Sequence, residues 1–198
     1  MSKIFVILGK SCTGKDTLLE SIIEDESLNV NKIIPYTTRP RRKYEVDGVD
    51  YHFVSKDKLD ELDKLNKIIE TRLYKTDEGD WIYGTPAVDL QLGKDYIIIG
   101  TLESFECIQN YYGTNNVIPI YLECSDFVRL IRAVSRENNQ DNPNYKEVCR
   151  RFLADEDDYT EEVVSYLIPD KCRYQTSNEI DEQYLIEAIK EYKQDNSL

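Results

Sequence analysis

The stretch "KIFVILGKSCTGKDTLLESII", Lys3 to Ile23, constrains the fold of this chain more than any other. An unbroken apolar run from Ile4 to Leu8 reads as a strand buried on both faces, which needs no polar alternation. After it, Gly9, Gly14 and Lys15 satisfy the glycine-rich pattern G-x-x-x-x-G-K-[ST] up to its last position, where Asp16 replaces the hydroxyl. Leu18, Leu19, Ile22 and Ile23 then recur at helical spacing over Lys15 to Glu24. Strand, glycine loop and helix in direct succession aim backbone N–H groups and a helix dipole at an anion.

That order makes Gly9, Lys10, Ser11, Cys12, Thr13, Gly14, Lys15, Asp16 and Thr17 the candidate ATP-phosphate loop, with Lys15 lying along the β and γ phosphates. Asp16 is the irregular member. A carboxylate about 4 Å from a phosphate oxygen costs about 4 kcal/mol at an effective dielectric near 20, so a cation or the helix N-terminus must offset it. Two readings follow: Asp16 binds Mg²⁺ directly or through waters, with the Thr17 hydroxyl nearby, or it serves only the helix dipole.

The rest of the chain alternates strand-like and helix-like runs, which predicts an α/β fold: a parallel sheet flanked by helices. Core strands are expected at Lys3–Leu8, Tyr96–Gly100 and Val117–Tyr121, and helices at Leu102–Tyr111 and Asp181–Lys193. Two stretches break the rhythm. Residues 32–89 carry short β segments ("YHFV", "KIIETRL", "WIYG") around one helix near Lys56–Leu65, and residues 127–159 hold two charged helical runs joined by "NNQDNPN". The expected division is therefore a core of 1–31, 90–126 and 160–198, an inserted mixed α/β region at 32–89, and a mobile helical flap at 127–159.

Composition narrows the partners. With 25 Lys and Arg against 38 Asp and Glu, the net charge of -13 argues against a general affinity for nucleic acid or anionic membrane. No apolar run approaches the roughly 18 residues of a membrane span, and the N-terminus lacks the pattern of a signal peptide. Five cysteines without a C-x-x-C pair, and a single His, favour a reduced cytoplasm over a disulfide framework or a zinc site.

Against this acidic background, "YTTRPRRKYEVDGVDYHFVS", Tyr36 to Ser55, concentrates Arg39, Arg41, Arg42 and Lys43. Forked guanidinium groups suit an oxyanion held in one orientation. Together with the loop upstream, the segment resembles the T-T-R-x-x-R-x-x-E-x-x-G-x-x-Y-x-F signature of guanylate kinases, matched at Thr37, Thr38, Arg39, Arg42, Glu45, Gly48, Tyr51 and Phe53. Similarity continues in "NKIIE" and "IYGTP".

The resemblance implies a P-loop nucleoside monophosphate kinase that uses ATP and Mg²⁺ to convert GMP or dGMP to the diphosphate, as a monomer or homodimer. By the same resemblance, Arg39, Arg42, Tyr51 and Tyr83 hold the GMP phosphate, Glu70 and Thr85 read the guanine edge, and Arg132, Arg136 and Arg151 are lid arginines. Lys15 and these arginines are then the expected catalytic set, since in-line phosphoryl transfer needs alignment and charge neutralisation more than a general base. Arg129 and Arg150 compete for the lid roles.

The chain also departs from that family. Where D-[IV]-D is usual it reads "IIIGTLE", putting Ile99 and Thr101 in acidic positions, with Thr101 left as the candidate on the guanine side; Pro35 replaces a usual serine, and Lys43-Tyr44 a usual Pro-Gly. Asp16 then reads as a relocated Mg²⁺ ligand. Two alternatives stand beside a GMP kinase: a kinase of the same superfamily acting on another phosphorylated acceptor, such as ribose 1,5-bisphosphate or another nucleoside monophosphate, and a non-catalytic guanylate-kinase-like interaction domain.

Overall fold

The structure, a computed structural model, describes residues 2–76, 79–176 and 182–194. Its centre is β1 (Ile4–Leu8), whose residues are all fully buried. Parallel neighbours flank it on both sides: β7 (Asp95–Ile99) then β2 (Val30–Lys32) on one, β8 (Val117–Glu123) then β9 (Arg173–Gln175) on the other. The expected core strands therefore form; the short edges β2 and β9 carry too little apolar pattern to be read in advance.

Side-chain alternation along β1 divides the core. Ile4, Val6 and Leu8 pack with Leu102, Phe105 and Ile108 of α3 (Leu102–Tyr112) and Val164 of α6 (Glu161–Leu167). Phe5 and Ile7 pack with Leu18, Leu19 and Ile22 of α1 (Lys15–Glu24) and with Leu185 and Ile189 of α7 (Glu182–Gln194). This is the α/β architecture expected, with a parallel sheet covered by helices on both faces. One detail differs: Ile23, expected on the buried face of α1, is 41% exposed, because that stripe is only as wide as the sheet beneath it. Asp181, expected to open the last helix, lies outside the described residues.

A second sheet follows the order β4 (His52–Phe53), β3 (Tyr36–Thr37), β6 (Gly79–Pro86), β5 (Ile68–Thr76). Of the expected short segments, "YHFV" supplies β4, while "KIIETRL" and "WIYG" fall in one long antiparallel pairing of β5 with β6. Helix α2 (Lys56–Lys64), capped by the Ser55 hydroxyl, buries Leu59 and Leu62 against Ile68. Between Ile68 and Glu70 the register shifts, so Ile69 is extra and Glu70 falls opposite Thr85. A bulge of this kind re-aims the side chains after it. Glu70 and Arg72 consequently share a face with Thr85 and Tyr83.

Helices α4 (Asp126–Asn138) and α5 (Tyr145–Asp158), with N-caps from Ser125 and Asn144, occupy the stretch expected to be a flap. It is not loose throughout. The last turns of α5 are pinned to the glycine loop by contacts described below.

Candidate functional site

The glycine loop leaves β1 at the carboxyl end of the parallel sheet, where open α/β sheets place ligands. Gly9 has φ 141°, and a Cβ there would stand 2.6 Å from the Leu122 carbonyl oxygen, so no larger residue fits. Gly14, at φ 101°, caps α1 without a side chain, leaving that helix N-terminus open to an anion. Lys15 folds back into the loop, its Nζ donating to the carbonyls of Gly9 (2.7 Å) and Lys10 (2.8 Å). Burial lowers its pKa, while Asp16 and Asp155 oppose that shift. Thr13 is buried, its hydroxyl donating to the Lys10 carbonyl at 3.0 Å, and Cys12 adopts a left-handed φ of 64°.

Acidic residues of α5 hold the outside of the loop. Asp155 accepts from the Ser11 amide at 2.7 Å and from its hydroxyl at 3.2 Å, and Glu156 accepts from Lys10 Nζ at 2.6 Å. Arg129, only 1% exposed, joins the two helices and the loop: it donates to Asp126 (2.7 Å), Asp155 (2.8 Å), Glu156 (3.0 Å) and the Ser11 carbonyl (3.1 Å), over the ring of Phe152. The bonds to Lys10 and Arg129 hold Glu156 below the usual carboxylate range.

The arginines expected on the flap separate. Arg132 reaches the loop, with Nη1 3.3 Å from the Cys12 carbonyl oxygen. Arg136 is exposed one turn further on. Arg151 ion-pairs with Glu147 at 3.4 Å, its Nε buried without a hydrogen bond, and Arg150 pairs with the same carboxylate. Sequence reasoning placed Arg129 only among the competitors. The signal for its role was Asp126 three residues before it on one helix face, and the Asp155-Glu156 pair.

On the second sheet, Arg39 is almost fully buried. It grips Glu45 with two parallel bonds of 3.0 and 2.7 Å, donates from Nε to the Tyr83 hydroxyl at 3.1 Å, and lies over the rings of Tyr51 and Phe53. Burial opposes its charge, but Glu45 and Tyr83 more than restore it and raise its pKa. Burial also pushes Tyr51 up to about 12; Tyr83 and, more weakly, Asp16 add to that rise. Asp16 is thereby within electrostatic reach of this cluster. Arg42 is exposed, its backbone N–H donating to Glu45 at 2.8 Å.

For Glu45, desolvation is outweighed by the Arg39 bonds and the Arg42 amide, and its pKa falls below the ordinary 4.5. A carboxylate depressed on folding contributes stability above its unfolded pKa and loses it as pH falls through the lower folded value. The melting temperature should therefore decline below about pH 4.5, and Glu45→Gln should flatten that acid limb. A pH series of thermal melts tests this; identical slopes would exclude the pair as a source of acid lability.

Deeper in the cleft, Thr85 donates to Glu70 at 2.5 Å across β5 and β6. Arg72 donates from Nε to Glu70 at 3.2 Å and from Nη1 to Thr101 Oγ1 at 2.8 Å. Thr101 also caps α3 by accepting from the Ser104 amide. Ile99, the other expected acidic position, packs into the α1 side of the core.

Comparison with known proteins accords with this geometry. Residues 1–90, spanning the glycine loop and the Arg39 cluster, match the family model described as guanylate kinase. A guanylate kinase of Malacoplasma penetrans is 26% identical over 90% of this chain and 82% of its own length. The first 90 residues of this chain thus match the guanylate kinase family. A guanylate kinase of Mycoplasma genitalium is 28% identical over 73% of this chain and 60% of its own length. One from Schizosaccharomyces pombe reaches 34% over 45% of this chain and 42% of its own length. The crystal structure of guanylate kinase from Anaplasma phagocytophilum has the same fold, with TM-score 0.60 and 21% identity across 100% of this chain and 87% of that one.

Arg72, Asp155 and Glu156 were missed in advance, and Arg129 was named only as a competitor for a lid role. Each is defined by a partner distant in sequence or by a strand neighbour whose facing depends on the bulge.

Proposed function

We propose that this chain transfers the γ-phosphoryl group of ATP to GMP or dGMP. The observation that carries the reading is the buried Arg39, fixed by Glu45, Tyr83 and Tyr51 on the same sheet as the Glu70–Thr85 pair, with Asp16 of the glycine loop within electrostatic reach of Tyr51. An oxyanion clamp and a hydrogen-bond-accepting base reader, facing a triphosphate loop, suit a nucleoside monophosphate as acceptor. Lys15 would leave its loop carbonyls for the triphosphate, and Arg132, already at the loop, would neutralise charge on the transferring group. The units proposed for this work are a phosphate-loop core (1–31, 90–126, 160–198), an acceptor-binding region (32–89) and a lid (127–159), with the exposed Arg42 and Arg136 and the half-buried Arg151 completing the clamp on closure.

Mg²⁺ fits this donor set. Among the described residues no three His, Cys, Asp or Glu side chains converge as a metal cage. Asp16 and Thr17, exposed at the start of α1, suit an ion held mainly by phosphates and water. When bound, Mg²⁺ would offset charge on the phosphates and the Asp16 carboxylate. Asp16→Ser should raise the Mg²⁺ concentration for half-maximal turnover by about tenfold. An unchanged Mg²⁺ titration would leave Asp16 with the helix dipole alone.

A coupled ADP-release assay with ATP and a panel of GMP, dGMP, IMP, AMP, UMP and ribose 1,5-bisphosphate tests the function. GMP or dGMP should give the highest kcat/KM. Preference for ribose 1,5-bisphosphate would reassign the acceptor, and no turnover with any member would make the chain a binding domain.

A further inference from the structure

Arg72 and Glu70 stand two residues apart on β5, so their side chains emerge on the same face. Both are largely buried, and their ion pair lies beside α3, whose Cys107 feels both charges. Glu70 is only partly spent. A carboxylate offers about four lone-pair positions, and Thr85 and Arg72 take one each. Arg72 is likewise committed through Nε and Nη1, which leaves the other N–H groups of its fork without partners among the described residues. Thr101, itself held by the α3 cap, fixes the direction of that fork.

The pair thus presents an acceptor and a cationic donor side by side in a dry recess. The matching edge is one on which an acceptor adjoins N–H donors. Guanine has that order in O6, N1–H and the 2-amino group, and adenine opposes it at both positions, with a 6-amino donor and an unprotonated N1.

We infer that Arg72 is a specificity-determining residue that donates to O6 of the acceptor base while Glu70 takes the N1–H and 2-amino donors. This rests on the guanylate kinase reading and adds a residue to it. On that reading Arg72, held beside Glu70 and Thr101, would meet the base and not the reacting phosphates, so its contribution belongs to acceptor binding and discrimination. A site that pairs with a substrate polar group strongly rejects the analogue lacking it.

The test is steady-state kinetics of the full chain as wild type, Arg72→Met and Arg72→Lys, with ATP and each of GMP, IMP and AMP, and a thermal melt of each variant. Arg72→Met should raise KM for GMP and for IMP by about 10- to 100-fold, the range of a hydrogen bond to a charged group, with kcat within about threefold. The GMP-to-IMP ratio of kcat/KM should stay as in wild type, because both bases carry O6. AMP turnover should hold or improve, so the GMP-over-AMP preference falls by the same factor, and Arg72→Lys should restore part of it. A wild-type GMP-over-AMP ratio in Arg72→Met overturns the inference, whether all substrates suffer alike, as with a purely structural arginine, or none changes. Failure of the underlying reading looks different: the wild type itself would not prefer GMP, and both claims would fall together.

Discussion

Lys15→Met should lower kcat by about 100- to 1000-fold with ATP and the preferred acceptor, and leave the melting temperature within a few degrees of wild type. In this structure the Lys15 ammonium caps two carbonyls of its own loop, so its charge is stored beside the phosphate cradle. Burial disfavours that charge, and Asp16 and Asp155 offset part of the effect. In the proposed transfer the ammonium would neutralise charge developing on the phosphoryl group; removing one such preorganised donor costs roughly 3–4 kcal/mol of transition-state stabilisation. Methionine keeps the stem and deletes the charge. Single-turnover kinetics with calorimetric ATP binding separate the effects, and a kcat within fivefold of wild type would remove Lys15 from the chemistry.

Arg129→Met should destabilise the fold by about 3–5 kcal/mol, the cost of breaking a buried ion pair from one side. For a chain of this size that corresponds to a fall of roughly 6–20 °C in melting temperature. Arg129 is the only described cation that joins both flap helices to the glycine loop, through Asp126, Asp155, Glu156 and the Ser11 carbonyl. Its removal strands Asp155 against the Ser11 amide and hydroxyl alone. Adding Asp155→Asn should recover part of the loss, since the orphaned charge goes with it. Thermal melts of the single and double variants decide; a single-variant loss under 1 kcal/mol would mean the cluster is not what anchors the flap.

The legible parts of this protein share a local cause. Strand β1, the glycine loop and α1 adjoin in sequence, so apolar continuity, glycine spacing and helical period describe them without reference to other segments. The cluster around Arg39 was legible for a similar reason, because Glu45, Tyr51 and Phe53 follow it within a short span. By contrast, nothing near Arg129 announces a buried side chain: on a charged helix an arginine reads as solvated, and only α5 folding back onto the loop closes it from water. The flap, expected to be mobile, has a pinned base for the same reason.

Glu70 and Arg72 mark the boundary between the two kinds of information. Motif spacing picks out Glu70, since it follows a recognisable apolar segment. That the face shared by Glu70 and Arg72 meets Thr85 and Tyr83 depends on a one-residue bulge after Ile68, and what the Arg72 fork meets depends on Thr101 arriving from another strand end. Order along the chain was enough to define the strands and helices of the α/β core, the glycine loop and the arginine-rich segment, because each is built from residues a few positions apart. Register, burial and the partners of long cationic side chains came from the packing of distant elements, because charge and hydrogen bonding depend on where water is excluded, and exclusion belongs to the folded whole.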